Sequence, residues 1–232
     1  MTMEKSMSDA AVAARVKKMI EMRESFDAAN ISVQLFKGNS KTGARCHTVS
    51  LIPVADCKNC AGCRNQCYDV RNDCWRPSVM ESRAKNSCIH KHDITRYWNE
   101  IRDYCIKKKV THLRINVGGY LVYEDLVHLN RIAKDAPGTT FLFFTKNYDD
   151  VNQLIDSGAS FEPNVRVIFS RWVNVACDNH NGIPESHVIY SDGSTTCTGE
   201  YFACPGNCTE CFDNNVGCWA LKRGGNVCFH VH

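Results

Sequence analysis

Cysteine is the residue type that most limits what this chain can be. Fifteen of the 232 residues are cysteines, and eleven of them fall within residues 57–74 and 197–228. The count is odd, no secretory signal is recognisable at the N-terminus, and a chain of this length buries a sizeable core without disulfides. Dense cysteines in a reducing compartment are typical of metal sites. The sequence therefore predicts metal ligation rather than an extracellular disulfide framework.

The overall composition is that of an ordinary globular protein. Hydrophobic residues make up 44% and charged residues 23%, and 28 basic against 25 acidic side chains give a net charge of +3. This balance gives no strong electrostatic case for nucleic acid, so we do not favour a nucleic-acid partner. No apolar run reaches the roughly 18 residues that a membrane span needs, so we expect no membrane association.

The hydrophobic periodicity predicts an α/β fold with a parallel sheet built from βαβ units. Strand and helix patterns alternate with short connections, which implies right-handed crossovers. An incomplete TIM-like barrel and an open sheet both satisfy this pattern, with cysteine-rich metal-binding loops at the N- and C-terminal ends. The predicted strands are 48–54, 113–117, 139–145, 165–170 and 187–190. The predicted helices are 9–29, 78–90, one that begins after Asp93, 123–135 and 149–156. Ser8 caps the first, a Ser78–Glu81 capping box opens the second, and Asp93 caps the third.

Polar residues follow three of these strands, at Asn116–Gly119, Thr145–Asn147 and Ser170–Trp172. Ligands of parallel sheets gather at the carboxyl ends of the strands, so these tips are expected to form one pocket. Three cations are candidates to hold an anionic substrate or cofactor: Lys41, Arg114 and Lys146.

The first cysteine cluster has the spacing C-x2-C-x2-C-x3-C, which is the ligand run of bacterial ferredoxins without the usual following proline. Zinc also uses C-x2-C pairs and is the main alternative. We predict that Cys57, Cys60, Cys63 and Cys67 are ligands of a [4Fe–4S] cluster. In two-cluster ferredoxins the fourth cysteine of this run serves the other cluster, so the four need not all bind one centre.

The second cluster contains Cys204, Cys208 and Cys211, whose C-x3-C-x2-C spacing resembles the three-cysteine loop of radical S-adenosylmethionine enzymes. In those enzymes three thiolates leave one iron open to bind the methionine part of S-adenosylmethionine. Cys218 follows after a turn over 213–217 and is our preferred fourth ligand, which would saturate the cluster. S-adenosylmethionine as a cofactor is therefore the less favoured alternative.

Several short motifs occur together in an order that resembles the bacteriophage gene-product-88 family. They are the run Gly38–Gly43, the segment Cys57–Tyr68, Arg83 with Asn86, the glycine-closed strand Leu113–Asn116, Phe144–Lys146, and Cys204-Pro205 through Cys218-Trp219. The chain has Gly119-Tyr120 where the family often has Gly-Asp. The resemblance covers residues 38–232 and implies a phage-encoded iron–sulfur protein, distantly related to radical enzymes, acting in the cytoplasm of the host cell. We therefore treat 1–37 as an N-terminal helical extension and 38–232 as a single α/β iron–sulfur domain.

Three functions compete at this stage. The first is a metalloenzyme carrying one or two [4Fe–4S] clusters and acting on an unknown small molecule. The second is a non-catalytic iron–sulfur module that transfers electrons to a redox partner or stabilises the fold. The third is a zinc-stabilised nucleic-acid accessory protein. The sequence leaves several residues without a role: Cys46, Cys74, Cys177, Cys197, Cys228 and the terminal histidines.

Overall fold

The computed structural model describes residues 6–38, 42–58, 60, 63–73, 76–172, 175–190 and 192–230. Its helices are α1 (Asp9–Glu24), α2 (Tyr68–Asp73), α3 (Pro77–His92), α4 (Ile94–Lys108), α5 (Tyr123–Asp135), α6 (Tyr148–Asp156) and α7 (Cys208–Asn214). Its strands are β1 (Phe36–Lys37), β2 (Cys46–Val49), β3 (His112–Ile115), β4 (Thr140–Thr145), β5 (Val165–Ser170), β6 (Glu185–Ile189), β7 (Phe202–Ala203) and β8 (Asn226–His230). The fold is mixed α/β.

The strands form one sheet in the order β1-β2-β3-β4-β5-β6-β8-β7. Only β1 pairs antiparallel with its neighbour, and the other six strand pairs are parallel. The sheet is open, with β1 and β7 at its edges. The sheet does not close, which both alternatives left by the periodicity allow. No helix among the described residues is long and apolar enough to cross a membrane.

The two faces of the sheet have different coverings. Alternate side chains of β2–β5 point into the main core, where they pack against buried residues of α4, α5 and α6, such as Trp98, Leu129 and Leu154. The opposite face carries a smaller cluster in which Leu142 and Ile168 pack with Cys211 and Trp219. The C-terminal cysteine segment therefore lies against the face that the helices leave open.

The N-terminal helix α1 packs onto the rest of the chain. Ser8 caps it by accepting a hydrogen bond from the backbone N–H of Ala11, as the sequence predicts. Its buried residues Val12, Val16 and Met19 form a separate hydrophobic cluster with Ile52 and residues of α2 and α3. α1 thus supports the segment that enters the first cysteine cluster.

Three local predictions are wrong. The helix predicted over 9–29 ends at Glu24. The other two have identifiable reasons. The strand predicted at 48–54 is observed as Cys46–Val49, because the Asp56 carboxylate accepts a hydrogen bond from the Ile52 N–H and turns the chain. Ser78 does not cap α3, because Pro77 occupies the first helical position, where its missing N–H costs nothing. Strands β7 and β8 were not predicted, since both lie within the irregular cysteine-rich C-terminal segment.

Candidate metal centres

The segment after β2 forms a tight, hydrogen-bonded loop that carries the N-terminal cysteine group, Cys57, Cys60, Cys63 and Cys67. Val54 has a left-handed backbone (φ 69°), and its N–H donates to the Cys57 Sγ at 3.3 Å. The Cys60 thiol donates to the Val54 carbonyl at 3.9 Å. Asp56 fixes the entry to this loop through Ile52 and through the hydroxyl of Ser87.

All four thiols of this group line one cavity of about 310 Å³, which we call the thiol cavity. Its other walls include Gly118 and Gly119 after β3, Lys146 after β4 and Trp172 after β5. The residues that follow these three parallel strands therefore meet in one pocket, as their position at the carboxyl ends predicts.

Glycine is required where the loop after β3 meets the cysteine loop. Gly119 has φ +86°, and a Cβ there would lie 2.8 Å from the Leu51 Cβ. The Tyr120 N–H donates to the Asp56 carbonyl at 2.9 Å, which ties the two loops together. The backbone of Gly119 also reaches the Cys57 thiol, where its hydrogen bond favours the thiolate.

Burial and mutual repulsion disfavour the thiolate form of several cysteines of this group when no metal is bound. Burial raises the pKa of Cys57 to about 12, with the charges of Cys67 and Cys60 adding to the shift. Burial also raises the pKa of Cys67 to about 11 and raises that of Cys60, which the neighbouring Cys63 raises further. A bound metal centre would displace these protons, because metal ligands must be deprotonated.

Lys146 is the predicted anion-binding residue that the structure places in the thiol cavity. Its Nζ donates to the Tyr120 hydroxyl at 2.9 Å and lies 5.6 Å and 5.3 Å from the ring centroids of Tyr120 and Trp172. Its charge and that of Arg64 oppose the rise in the pKa of Cys60. Lys41 lies outside the described residues.

The C-terminal cysteine group consists of Cys204, Cys208, Cys211 and Cys218. The Asn207 carboxamide caps α7 by accepting from the Thr209 N–H at 2.9 Å, so Cys208 and Cys211 lie on a short helix rather than in a loop. Burial raises the pKa of Cys218 to about 12, and the nearby charges of the other three cysteines raise it further. The four cysteines of this group therefore lie within electrostatic reach of one another.

A turn with two left-handed residues returns the chain to this group. Asn215 has φ 50° and Gly217 has φ 66°. A Cβ at Gly217 would lie 2.9 Å from the Phe202 ring and 3.1 Å from the Cys211 Sγ. Glycine at this position therefore lets the segment before Cys218 approach the Cys211 Sγ. The turn predicted over 213–217 begins later than expected, because Asp213 and Asn214 form the end of α7.

Arg114 lies beside the C-terminal group and not in the thiol cavity. Its charge opposes the pKa rise of Cys208 and Cys218, and its guanidinium carbon lies 5.1 Å from the centroid of the Phe144 ring. Cys46 on β2 is fully buried. Burial raises the pKa of its thiol to about 12, and the charge of Cys208 adds to the shift. Sequence spacing could not indicate that Cys46 lies near this group, since the contact joins residues far apart in the chain.

The remaining described cysteines have other surroundings. Cys88 and Cys105 are buried in the helical layer, as their helical spacing predicts. Cys228 on β8 is buried, and burial together with the nearby Cys197 raises its pKa to about 11. His230 lines the thiol cavity, whereas Cys74 and His232 lie outside the described residues.

Both cysteine groups have features that suit a thiolate-bound cluster. At each group a buried guanidinium Nε, of Arg64 and of Arg114, makes no hydrogen bond within the described part of the chain. A cluster held by thiolates carries negative charge, which such cations would offset. All fourteen described cysteines are free thiols. No three Cys, His, Asp or Glu side chains among the described residues are arranged to hold a metal ion.

A family model described as Gene product 88 matches residues 24–183. The chain belongs to the Gene product 88 family. The matched range contains the N-terminal cysteine group and Lys146, and it ends before the C-terminal cysteine group. No curated protein and no solved structure matches the chain.

Proposed function

We propose that this member of the Gene product 88 family is an iron–sulfur protein with a [4Fe–4S] cluster at each of its two cysteine groups. The observation that carries the proposal is the thiol cavity, in which four cysteines with ferredoxin-like spacing surround one space at the carboxyl ends of parallel strands. A single zinc ion needs its ligands to converge on one point about 2.3 Å from each sulfur. A polynuclear cluster instead needs thiols spaced around its own volume, which is what a thiol-lined cavity offers.

The two groups supply different settings for such clusters. Cys57, Cys60, Cys63 and Cys67 face a pocket that also contains Lys146, so chemistry on a small molecule would take place there. Cys211 and Cys218 of the C-terminal group pack among aromatic residues against the sheet, which suits electron transfer or stabilisation of the fold. Because Cys218 adjoins the other three, we favour a saturated C-terminal cluster over one that binds S-adenosylmethionine.

The proposal is tested by purifying the protein without oxygen and measuring its metal and sulfide content. We expect brown protein with broad visible absorption from sulfur-to-iron charge transfer, and with iron and acid-labile sulfide in equal amounts. Colourless protein with stoichiometric zinc and no sulfide would contradict the proposal and favour a zinc-stabilised accessory protein.

A further inference from the structure

The thiol cavity contains more than the four thiols, and its remaining walls have a definite chemistry. Trp172, Val188 and Phe229 form an apolar side contributed by the ends of β5, β6 and β8. Lys146 after β4 and Arg64 and Arg71 from the cysteine segment supply positive charge. An aromatic and aliphatic wall that faces several cations is the type of surface that binds an organic anion.

Apart from the four cysteines, whose bound cluster would carry negative charge, the cavity has almost no acidic residues. Among the described lining residues Asp69 is the one carboxylate, and its oxygen lies 2.8 Å from the Arg83 guanidinium, which is buried beside it. Asp69 is thus compensated from outside the cavity. The cations of the cavity exceed its carboxylates even when Arg83 is left out.

Lys146 is held in a fixed place for a charged contact. Its side chain is 8% exposed, beside the Trp172 ring and hydrogen-bonded to the Tyr120 hydroxyl. These two residues keep water away from the ammonium, and the Trp172 ring favours its charge. In such a poorly solvated position, the attraction between the ammonium and an incoming anion is stronger than it would be in bulk water.

We propose that the thiol cavity binds a small organic anion, a carboxylate or phosphate carried on an aromatic or apolar body, with Lys146 contacting the anionic group and Trp172 and Phe229 contacting the body. The cavity of about 310 Å³ is at the lower end of the range for small-molecule sites and would also hold the cluster, so the ligand is small. The inference rests on the proposed function, because a cluster at the four thiols forms one side of the site.

The test is calorimetric titration of the anaerobically purified protein, whose iron content is measured on the same sample. Benzoate and phenyl phosphate are the probes. Benzamide tests the need for charge, and inorganic phosphate and acetate test the need for the ring. We expect one of the two aromatic anions to bind about tenfold or more tightly than benzamide, phosphate or acetate.

Variants of Lys146 connect this binding to the site. Lys146→Met should weaken binding of the aromatic anion about tenfold or more, and Lys146→Arg should retain most of it. Lys107→Met, at the exposed end of α4, is the matched control and should bind like the unmodified protein. Circular dichroism verifies that each variant is folded.

Three outcomes would overturn the inference: no probe binds to iron-loaded protein, a neutral or ringless probe binds equally well, or Lys146→Met binds as tightly as the unmodified protein. If Lys146→Met changes the iron content but not the affinity for the anion, Lys146 only offsets the charge of the thiolates. Protein that binds the anion but contains no iron would contradict the proposed function while leaving the anion site standing.

Discussion

The N-terminal cysteine group surrounds a cavity, whereas the C-terminal cysteine group is packed against a sheet face. Cys57, Cys60, Cys63 and Cys67 lie on irregular loop and 3₁₀ structure between β2 and α2, held by backbone hydrogen bonds and by Asp56. The C-terminal group is placed by side-chain packing, in which Trp219 contacts His112 and Phe212 with ring centroids 5.0 Å and 5.2 Å apart.

This difference indicates how the two cysteine groups of one chain could have different functions. A cavity lined by cations and apolar side chains leaves room beside the thiols for a ligand, and backbone hydrogen bonds hold the loop without filling that room. Aromatic packing fills the space around the second group and ties it to the sheet. We therefore interpret the N-terminal group as the reactive side of the protein and the C-terminal group as a structural or electron-transfer centre.

The largest expected effect comes from removing the aromatic packing at the C-terminal group. Trp219→Ala deletes a side chain that is 6% exposed and should lower the free energy of unfolding by about 3–5 kcal/mol. Tyr68→Ala, at a position that is 49% exposed beside the thiol cavity, should change it by less than about 0.5 kcal/mol. Denaturant unfolding followed by circular dichroism measures both, and equal effects would remove the distinction between the two regions.

A smaller effect is expected from the glycine that closes the thiol cavity. Gly119 and Gly158 share φ +86°, but a Cβ at Gly158 meets nothing within 4 Å, whereas one at Gly119 meets Leu51. Gly158→Ala should therefore cost only the left-handed backbone term of about 1–2 kcal/mol, and Gly119→Ala should cost more.

The same pair of variants tests whether Gly119 affects iron binding at the N-terminal cysteine group. Gly119→Ala should also reduce the iron held by the N-terminal group, because the Gly119 backbone bonds to the Cys57 thiol, whereas Gly158→Ala should leave iron content unchanged. Equal stability and equal iron content in the two variants would contradict the close contact between the loops.

Replacing thiols in pairs tests whether the groups hold separate centres. Cys60→Ser with Cys63→Ser, and Cys208→Ser with Cys211→Ser, should each remove about half of the iron, because under the proposed function each group of four cysteines would hold its own cluster. Iron and sulfide analysis measures this, with circular dichroism as the test of folding. Complete loss of iron from either folded variant would indicate one shared centre.

The smallest expected effect is no reaction at all. Reduced protein mixed with S-adenosylmethionine should yield no 5′-deoxyadenosine, because Cys218 adjoins the other three C-terminal thiols and would saturate the cluster. The Cys218→Ala variant, assayed in parallel by chromatography, opens one iron position. Robust cleavage by the unmodified protein would contradict the saturated arrangement and favour an enzyme of the radical type.

Local pattern was sufficient for most of the regular elements. Val165–Ser170 and Tyr123–Asp135 have the bounds that their periodicity and turn residues indicate, and the Asp93 carboxylate caps α4 as predicted. These features depend on residues within a turn or two of each other. The strand before the first cysteine cluster was placed too late in the chain, because Asp56 and Ser87 impose a turn from a distance.

The sequence by itself determined that the cysteines fall into two groups and that residues after the parallel strands meet, because spacing and strand direction are local properties. Only the tertiary structure decided which cations accompany each group. Lys146 and Arg114 look alike in the sequence, yet Lys146 lies after its strand in the thiol cavity, whereas Arg114 lies within its strand beside the C-terminal group. That separation follows from strand register and from the face against which α7 packs, which contacts between distant residues determine.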